Sequence, residues 1–246
     1  TSSHSVEVNE LLAQAYVNGN NFNKAIEYIE ALPSRNQYIN QAYQKATYLK
    51  GMELFNKEQY AEAVQNFGKS LNYPVDPKYV VLASFWNAEA YSMARRYDEA
   101  LKHYQKVVSL LPDVEQDILV KTRYGLGYAF YNTKAWDRAL FNFKDFTNRT
   151  NIHNPNYSDG LIRLADCYYV SRQYEDALAT YNKAKSASTA DNDYILYQTG
   201  VIFGMQKKYN DASARFSELL TKFPKSQYRD EAIFKRAEYD MEQSNY

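Results

Sequence analysis

The sequence predicts an all-α fold, a solenoid of helical hairpins, and three observations predict it. Six segments carry an aromatic, two variable residues and an alanine: Phe22/Ala25, Tyr60/Ala63, Tyr97/Ala100, Trp136/Ala139, Tyr174/Ala177 and Tyr209/Ala212. The offsets around these alanines repeat. Twelve residues earlier stands a small residue (Ala13, Gly51, Ala88, Gly127, Ala165, Gly200), and four later a large apolar one (Ile29, Phe67, Tyr104, Phe143, Tyr181, Phe216). Finally, Pro33, Pro74, Pro77, Pro112, Pro155 and Pro224 all fall between these units, where they spare the helices the lost hydrogen bond and steric clash of an interior proline. A fixed period of this length is the mark of supersecondary units stacked in series.

Each repeat reads as a first helix carrying the small residue and a second helix opened by the aromatic-x-x-Ala segment. A tiny side chain lets two backbones approach, and an aromatic one turn along fills the space between them. Polar turns such as Asn18 to Asn21, Asn56 to Gln59 and Asn132 to Lys134 separate the two helices. Asp76-Pro77 and Asn154-Pro155 place an N-cap before a proline at the first helical position, and Ser34 with Gln37 has capping-box spacing. Ser186 to Asp193, the one junction without proline, is rich in side chains that compete for backbone hydrogen bonds and reads as a loop. The expected organisation is a flexible flank at 1–5, six hairpins over 6–225 and a seventh first helix at 226–246. That last helix keeps Ile233, Phe234 and Ala237 in phase but has Asp240 where other repeats carry an aromatic. It is expected to be either a polar cap or the opening of a truncated repeat.

Repeat four reads Leu126-Gly127-Tyr128 with Phe130, then Trp136, Ala139 and Phe143; repeat six reads Gly200, Phe203, Tyr209, Ala212, Phe216 and Pro224. On these residues the chain resembles the tetratricopeptide repeat (TPR) family, over about nine tenths of its length. The resemblance implies a right-handed superhelical α-solenoid of TPR-like hairpins acting as a non-enzymatic protein-binding scaffold. Two departures stand out. The period exceeds the family's roughly 34 residues, and the family's early first-helix tryptophan is replaced by residues such as Thr47, Ser84 and Arg123. Longer first helices are the expected consequence. Phe223 to Ala232 is similar to the inter-repeat junction of bacterial envelope TPR proteins, which implies a periplasmic or cell-envelope location, with the cytoplasm as the alternative.

Composition narrows the function. Lys+Arg and Asp+Glu are both 29, so no net charge draws the chain to nucleic acid, and no nucleic-acid partner is expected. No apolar run is long enough to span a membrane. His4, His103 and His153 lack metal-ligand spacing and read as exposed and non-functional; no metal or cofactor is expected. The single cysteine, Cys167, sits two residues after the small Ala165 and reads as a buried, inert thiol. Acidic pairs such as Asp98-Glu99 and Glu175-Asp176 lie in the first turn of second helices, where they favour the helix dipole. An enzyme is not expected.

Twenty-five tyrosines, twelve phenylalanines and two tryptophans exceed what the packing positions of six repeats require. The TPR resemblance implies an inner face lined by first-helix positions three before the small residue and one and four after it. Carried over, these positions give Tyr48, Met52 and Phe55; Phe85, Glu89 and Ser92; Tyr124, Tyr128 and Tyr131; Ile162, Asp166 and Tyr169; Tyr197, Val201 and Gly204; and Phe234, Glu238 and Met241, with Tyr194 flanking. The expected partner-binding set is Tyr48, Phe55, Phe85, Glu89, Tyr124, Tyr128, Tyr131, Asp166, Tyr169, Tyr194, Tyr197 and Phe234. Such a groove suits an extended peptide or an amphipathic helix, while burial of the same rings between long first helices is the competing expectation. The Lys, Arg and Asn clamp of chaperone-binding TPR domains is absent at Glu10, Gln14, Tyr48, Met52, Phe85 and Glu89. A protein or peptide partner is therefore expected, with glycan binding and a spacer role in a longer array as alternatives, and the terminal helices as the route of any self-association.

Overall fold

The computed structural model describes residues 3–110 and 114–244. They form thirteen α-helices and, among the described residues, no strand: α1 Ser3–Asn18, α2 Phe22–Glu30, α3 Gln37–Asn56, α4 Tyr60–Leu71, α5 Pro77–Met93, α6 Tyr97–Ser109, α7 Gln116–Asn132, α8 Trp136–Arg149, α9 Tyr157–Val170, α10 Tyr174–Ala187, α11 Asn192–Met205, α12 Tyr209–Lys222 and α13 Arg229–Ser244. The chain divides into two compact units, Thr1–Thr133 and Lys134–Tyr246. Within each unit the helices pair as hairpins, and each hairpin packs on the next in chain order. The fold is an all-α helical-repeat solenoid.

All six second helices begin on the aromatic of the repeated segment. The alanine three residues on is fully buried in every repeat, and the large residue four further on is at most 1% exposed. What places these starts is the turn before them. Asn20, Glu58, Arg95, Lys134, Arg172 and Lys207 each stand five residues before the alanine and each adopt a left-handed backbone, with φ between 56° and 60°. The next amide then reaches back to a carbonyl five residues earlier, as in Gln59 N to Leu54 O at 2.9 Å, Arg96 N to Tyr91 O at 2.8 Å and Lys208 N to Phe203 O at 2.9 Å. This closure satisfies the last carbonyls of the first helix and reverses the chain. None of the six is glycine, so each turn holds a side chain in a conformation that L-residues disfavour.

Glycine serves as a slot for rings. A Cβ on Gly51 would lie 2.6 Å from the Phe67 ring, and one on Gly200 would lie 2.7 Å from Phe216, both inside a hairpin. Between successive hairpins, a Cβ on Gly160 would lie 2.5 Å from the Phe146 ring, and Gly125 and Gly204 make room in the same way for Tyr104 and Tyr239. The expected lengthening is present in α3, with 20 residues, and in α5 and α7, with 17 each.

Several boundaries differ from expectation. The N-cap of α3 is Asn36, whose side chain accepts from Ile39 N at 3.0 Å, in place of the Ser34 capping box. Asp76 caps α5 as expected, accepting from Lys78 N at 2.9 Å with Pro77 at the first position. Asn154-Pro155 instead forms a turn: Asn154 Oδ1 accepts from Asn156 N, and α9 starts at Tyr157. The α1 helix begins at Ser3, inside the flank expected at 1–5, and α13 begins at Arg229, three residues after Ser226. His103 is not exposed but half-buried, stacked on Tyr91 with centroids 5.4 Å apart. Pro112 and Tyr246 lie outside the described residues.

Candidate peptide-binding face

The position after the small residue takes two forms, and its partner is the residue four past the alanine. In the third repeat Glu89 accepts from the Tyr104 hydroxyl at 2.5 Å; in the fifth, Asp166 accepts from Tyr181 at 2.5 Å. Both tyrosines are at most 1% exposed, and a buried hydroxyl needs a partner. Where the same position is Phe67, Phe143 or Phe216, the residue after the small one is Met52, Tyr128 or Val201, and no carboxylate is present. Asp166 is further held by Tyr194 Oη at 2.8 Å and Arg163 Nη1 at 2.9 Å. Burial is the main cause that raises the Glu89 carboxyl above its ordinary range, and it also raises the Tyr104 and Tyr181 hydroxyls. Glu89 and Asp166 thus serve the packing between helices.

The expected face divides by position. Three before the small residue, Tyr48, Phe85 and Tyr197 are buried. Tyr48 packs against Tyr79 with centroids 5.3 Å apart, Phe85 against Trp86 at 5.3 Å, and Tyr197 stacks on Tyr228 at 5.1 Å and 19°. Together with buried Asp166, these four correct the expectation of an open surface. The Tyr48 and Tyr197 rings pack against the next repeat and the Phe85 ring within its own hairpin, and burial raises Tyr48 to about 12 and Tyr197 further. Four after the small residue, Phe55, Tyr131 and Tyr169 are half-buried. Tyr124 and Tyr128 are half-buried too, edge to face at 5.0 Å, as is Tyr194, whose ring lies 5.5 Å from Tyr228. Phe234 is exposed, with Met241 beside it on α13. Cys167 is fully buried and its thiol is raised to about 12, mainly by desolvation. Among the described residues, no three His, Cys, Asp or Glu side chains converge as a metal site would require.

The sequence reading missed a cavity in the first unit. About 280 Å³ in volume, it opens where three successive first helices converge. Gln14, Val17 and Asn18 come from α1, Tyr38, Gln41, Ala42 and Lys45 from α3, and Asp76 and Tyr79 from the start of α5. Val17 and Ala42 form a buried apolar floor, Gln14, Asn18 and Gln41 are exposed carboxamides, and the Tyr38 ring is 63% exposed. The start of α5 is fixed from below: buried Gln44 accepts from Asp76 N at 2.8 Å and donates to Asp76 O at 3.0 Å. Tyr38, Gln41 and Lys45 lie thirteen, ten and six residues before Gly51, on the turns by which α3 is lengthened. The only sequence signal for them was the long period.

Three models described as tetratricopeptide repeat match the chain, over residues 6–32, 48–115 and 194–226. A DnaJ homolog subfamily C member 7 homolog from Dictyostelium discoideum is 27% identical over 155 residues, which are 56% of this chain; they span 26% of that protein's length. Among solved structures, YrrB, described as a TPR protein with an unusual peptide-binding site, superposes with TM-score 0.64 at 16% identity, covering 86% of this chain and 96% of that one. MamA gives 0.63 at 18%, over 74% of this chain and 93% of its own. PilW, a type IV pilus biogenesis factor, gives 0.57 at 16%, over 94% of this chain and all of the other. At these identities the structural likenesses speak for the fold alone. The aromatic-x-x-Ala starts, the buried small-residue slots and the matching repeat models agree, and the chain belongs to the tetratricopeptide repeat family.

Proposed function

We propose that this chain is a non-enzymatic interaction scaffold that takes an extended peptide or protein segment along its first-helix side. The observation that carries this reading is the cavity formed by α1, α3 and the start of α5. Its exposed carboxamides can both donate to and accept from a main chain, and an exposed tyrosine ring stands at its edge. At about 280 Å³ it lies near the lower end of the roughly 300–1,000 Å³ of ligand pockets, which suits one or two residues of an extended chain better than a helix. The half-buried Tyr128 and Tyr131 are a second part of the proposed face. YrrB, with its described peptide-binding site, lends the reading support by fold.

An immobilised array of random dodecapeptides tests it. Retention by the native chain is expected, reduced when Gln14 and Gln41 become Ala and, separately, when Tyr128 and Tyr131 become Ala, with the far-ultraviolet circular dichroism unchanged. If the native chain retains no peptide, or every variant retains them equally, the reading fails. A cell-envelope location is part of the proposal, supported by the junction Phe223 to Ala232 and by the fold shared with PilW. Detection of the protein only in the cytoplasmic fraction of its source cells would refute that part.

A further inference from the structure

Lys45 stands out among the charged groups of the first unit. It is half-buried on α3, and among the described residues no carboxylate lies within ion-pairing distance of it. Lys50 and Lys57 pair with Glu53, Lys69 with Glu30, and Lys121 with Asp117, while Lys24, Lys78, Lys102 and Lys106, which have no ion pair among the described residues either, are exposed to solvent. The carboxylate that shares the cavity, Asp76, is already engaged as the N-cap of α5, accepting from Lys78 N at 2.9 Å and facing the positive end of that helix. Glu10, on the same face of α1 one turn from Gln14, accepts from Asn36 Nδ2 at 2.5 Å. The cavity therefore contains one half-buried cation with no carboxylate in direct contact, set mainly among neutral hydrogen-bonding groups, its one anion being the cap of α5.

Resting on the peptide-binding reading above, we infer that the occupant of this cavity carries an acidic side chain, an internal aspartate or glutamate, that pairs with Lys45. Gln14, Asn18 and Gln41 are placed to bond the main chain on either side of that residue, and the exposed Tyr38 ring covers its aliphatic part. A half-buried ammonium without a partner gains from a carboxylate that enters with it, because the pair is screened less there than at an open surface. One lysine among carboxamides differs in kind from a clamp for a chain terminus: it offers a single charge and neutral groups on both sides, which suits a side chain within a continuous main chain.

The test is an array of synthetic dodecapeptides with acetylated and amidated ends, probed with the native chain and with Lys45→Met. Expected is enrichment of Asp or Glu at one position. Replacing that residue by Gln in a retained peptide should weaken binding to the native chain about tenfold, in line with one charge-assisted contact. Lys45→Met should bind the acidic peptide about as weakly as the native chain binds its Gln counterpart, and should not distinguish the two. Raising the salt concentration should narrow the acid-to-amide difference in the native chain. If peptides are retained with no acidic preference, or Lys45→Met keeps that preference, this inference falls while the peptide-binding reading stands. If the blocked peptides are not retained but the same sequences with a free C-terminus are, the internal side-chain assignment is overturned while peptide binding stands. If neither blocked nor free-ended peptides are retained, both readings fall.

Discussion

Replacing Tyr104 by Phe should leave the hydrocarbon packing of the third repeat intact and remove only the hydroxyl that donates to Glu89 at 2.5 Å. A hydrogen bond to a charged group contributes about 1.5–3 kcal/mol. Glu89 is half-buried and its carboxyl is already raised by burial, so it can take up a proton when its donor is lost. That relief places the expected cost at neutral pH in the lower part of the range, about 1.5–2 kcal/mol. Glu89→Met leaves the buried hydroxyl with Ser92 as its remaining neighbour, at a cost of about 1 kcal/mol. The double variant reproduces the Phe67 and Met52 combination of the second repeat, and should lie within about 1 kcal/mol of the native chain, a coupling of about 2 kcal/mol. Urea and thermal unfolding followed by circular dichroism measure all four proteins, and the coupling should appear as about 4–8 °C in Tm in the thermal series. The pH dependence follows with a definite sign. Because the folded value of Glu89 lies above its ordinary 4.5, the stability linked to it is fully present below 4.5 and is lost as pH rises through the folded value. Glu89→Met should abolish that decline. A double variant that costs the sum of the two single changes would refute the pairing.

Glycine positions give a contrast within one hairpin: Gly51→Ala drives a Cβ into the Phe67 ring and should cost about 1–3 kcal/mol, whereas Gly68→Ala meets nothing within reach and should stabilise by up to about 1 kcal/mol, both read from urea midpoints. In the left-handed turn before α6, Arg95→Gly should raise stability by about 0.5–1 kcal/mol and Arg95→Val should lower it by about 1–2 kcal/mol; equal midpoints would show that this turn holds no strain. Glu30 is lowered below its ordinary 4.5, chiefly by the hydroxyl of Tyr43 at 2.6 Å, so its contribution is present above 4.5 and lost as pH falls through the folded value. Acid titration of Glu30→Gln should therefore show a shallower loss of helix than the native chain. Cys167 should react with a thiol reagent only at the rate of unfolding, and rapid labelling of the native protein would contradict its burial.

The hairpins were legible because their determinants are local and repeated. An aromatic at the first position of a second helix, an alanine three residues on and a small residue twelve before it are each fixed by contact within one hairpin, and six copies in phase make the pattern hard to mistake. Helix starts that rest on a single polar side chain were less legible. Ser34, Asn36 and Asn154 can all cap a helix, and the choice among them follows from where the preceding turn releases the chain. The left-handed residues escaped notice because Glu58, Arg95 and Lys207 are ordinary polar residues with no tendency toward that conformation.

The inner face was the hardest part to read, and helix length is the reason. Which residues line a concave surface depends on how far each first helix overlaps the next, a relation between repeats that residues within one repeat do not record. With α3, α5 and α7 extended to 20, 17 and 17 residues, Tyr48 is covered by Tyr79 of α5, and Phe85 by the rings of Trp86 and Tyr104. The open surface on α3 moves to Tyr38, Gln41 and Lys45, up to thirteen residues before Gly51. The tyrosine and carboxylate pairs, by contrast, could have been read from one chain. Glu89 with Tyr104 and Asp166 with Tyr181 share a spacing of fifteen, and every repeat with Phe at the second position lacks the acid at the first. A carboxylate that changes in step with a buried tyrosine is accounted for by the core, so only a half-buried charge left over after such pairing, as Lys45 is, points toward a partner.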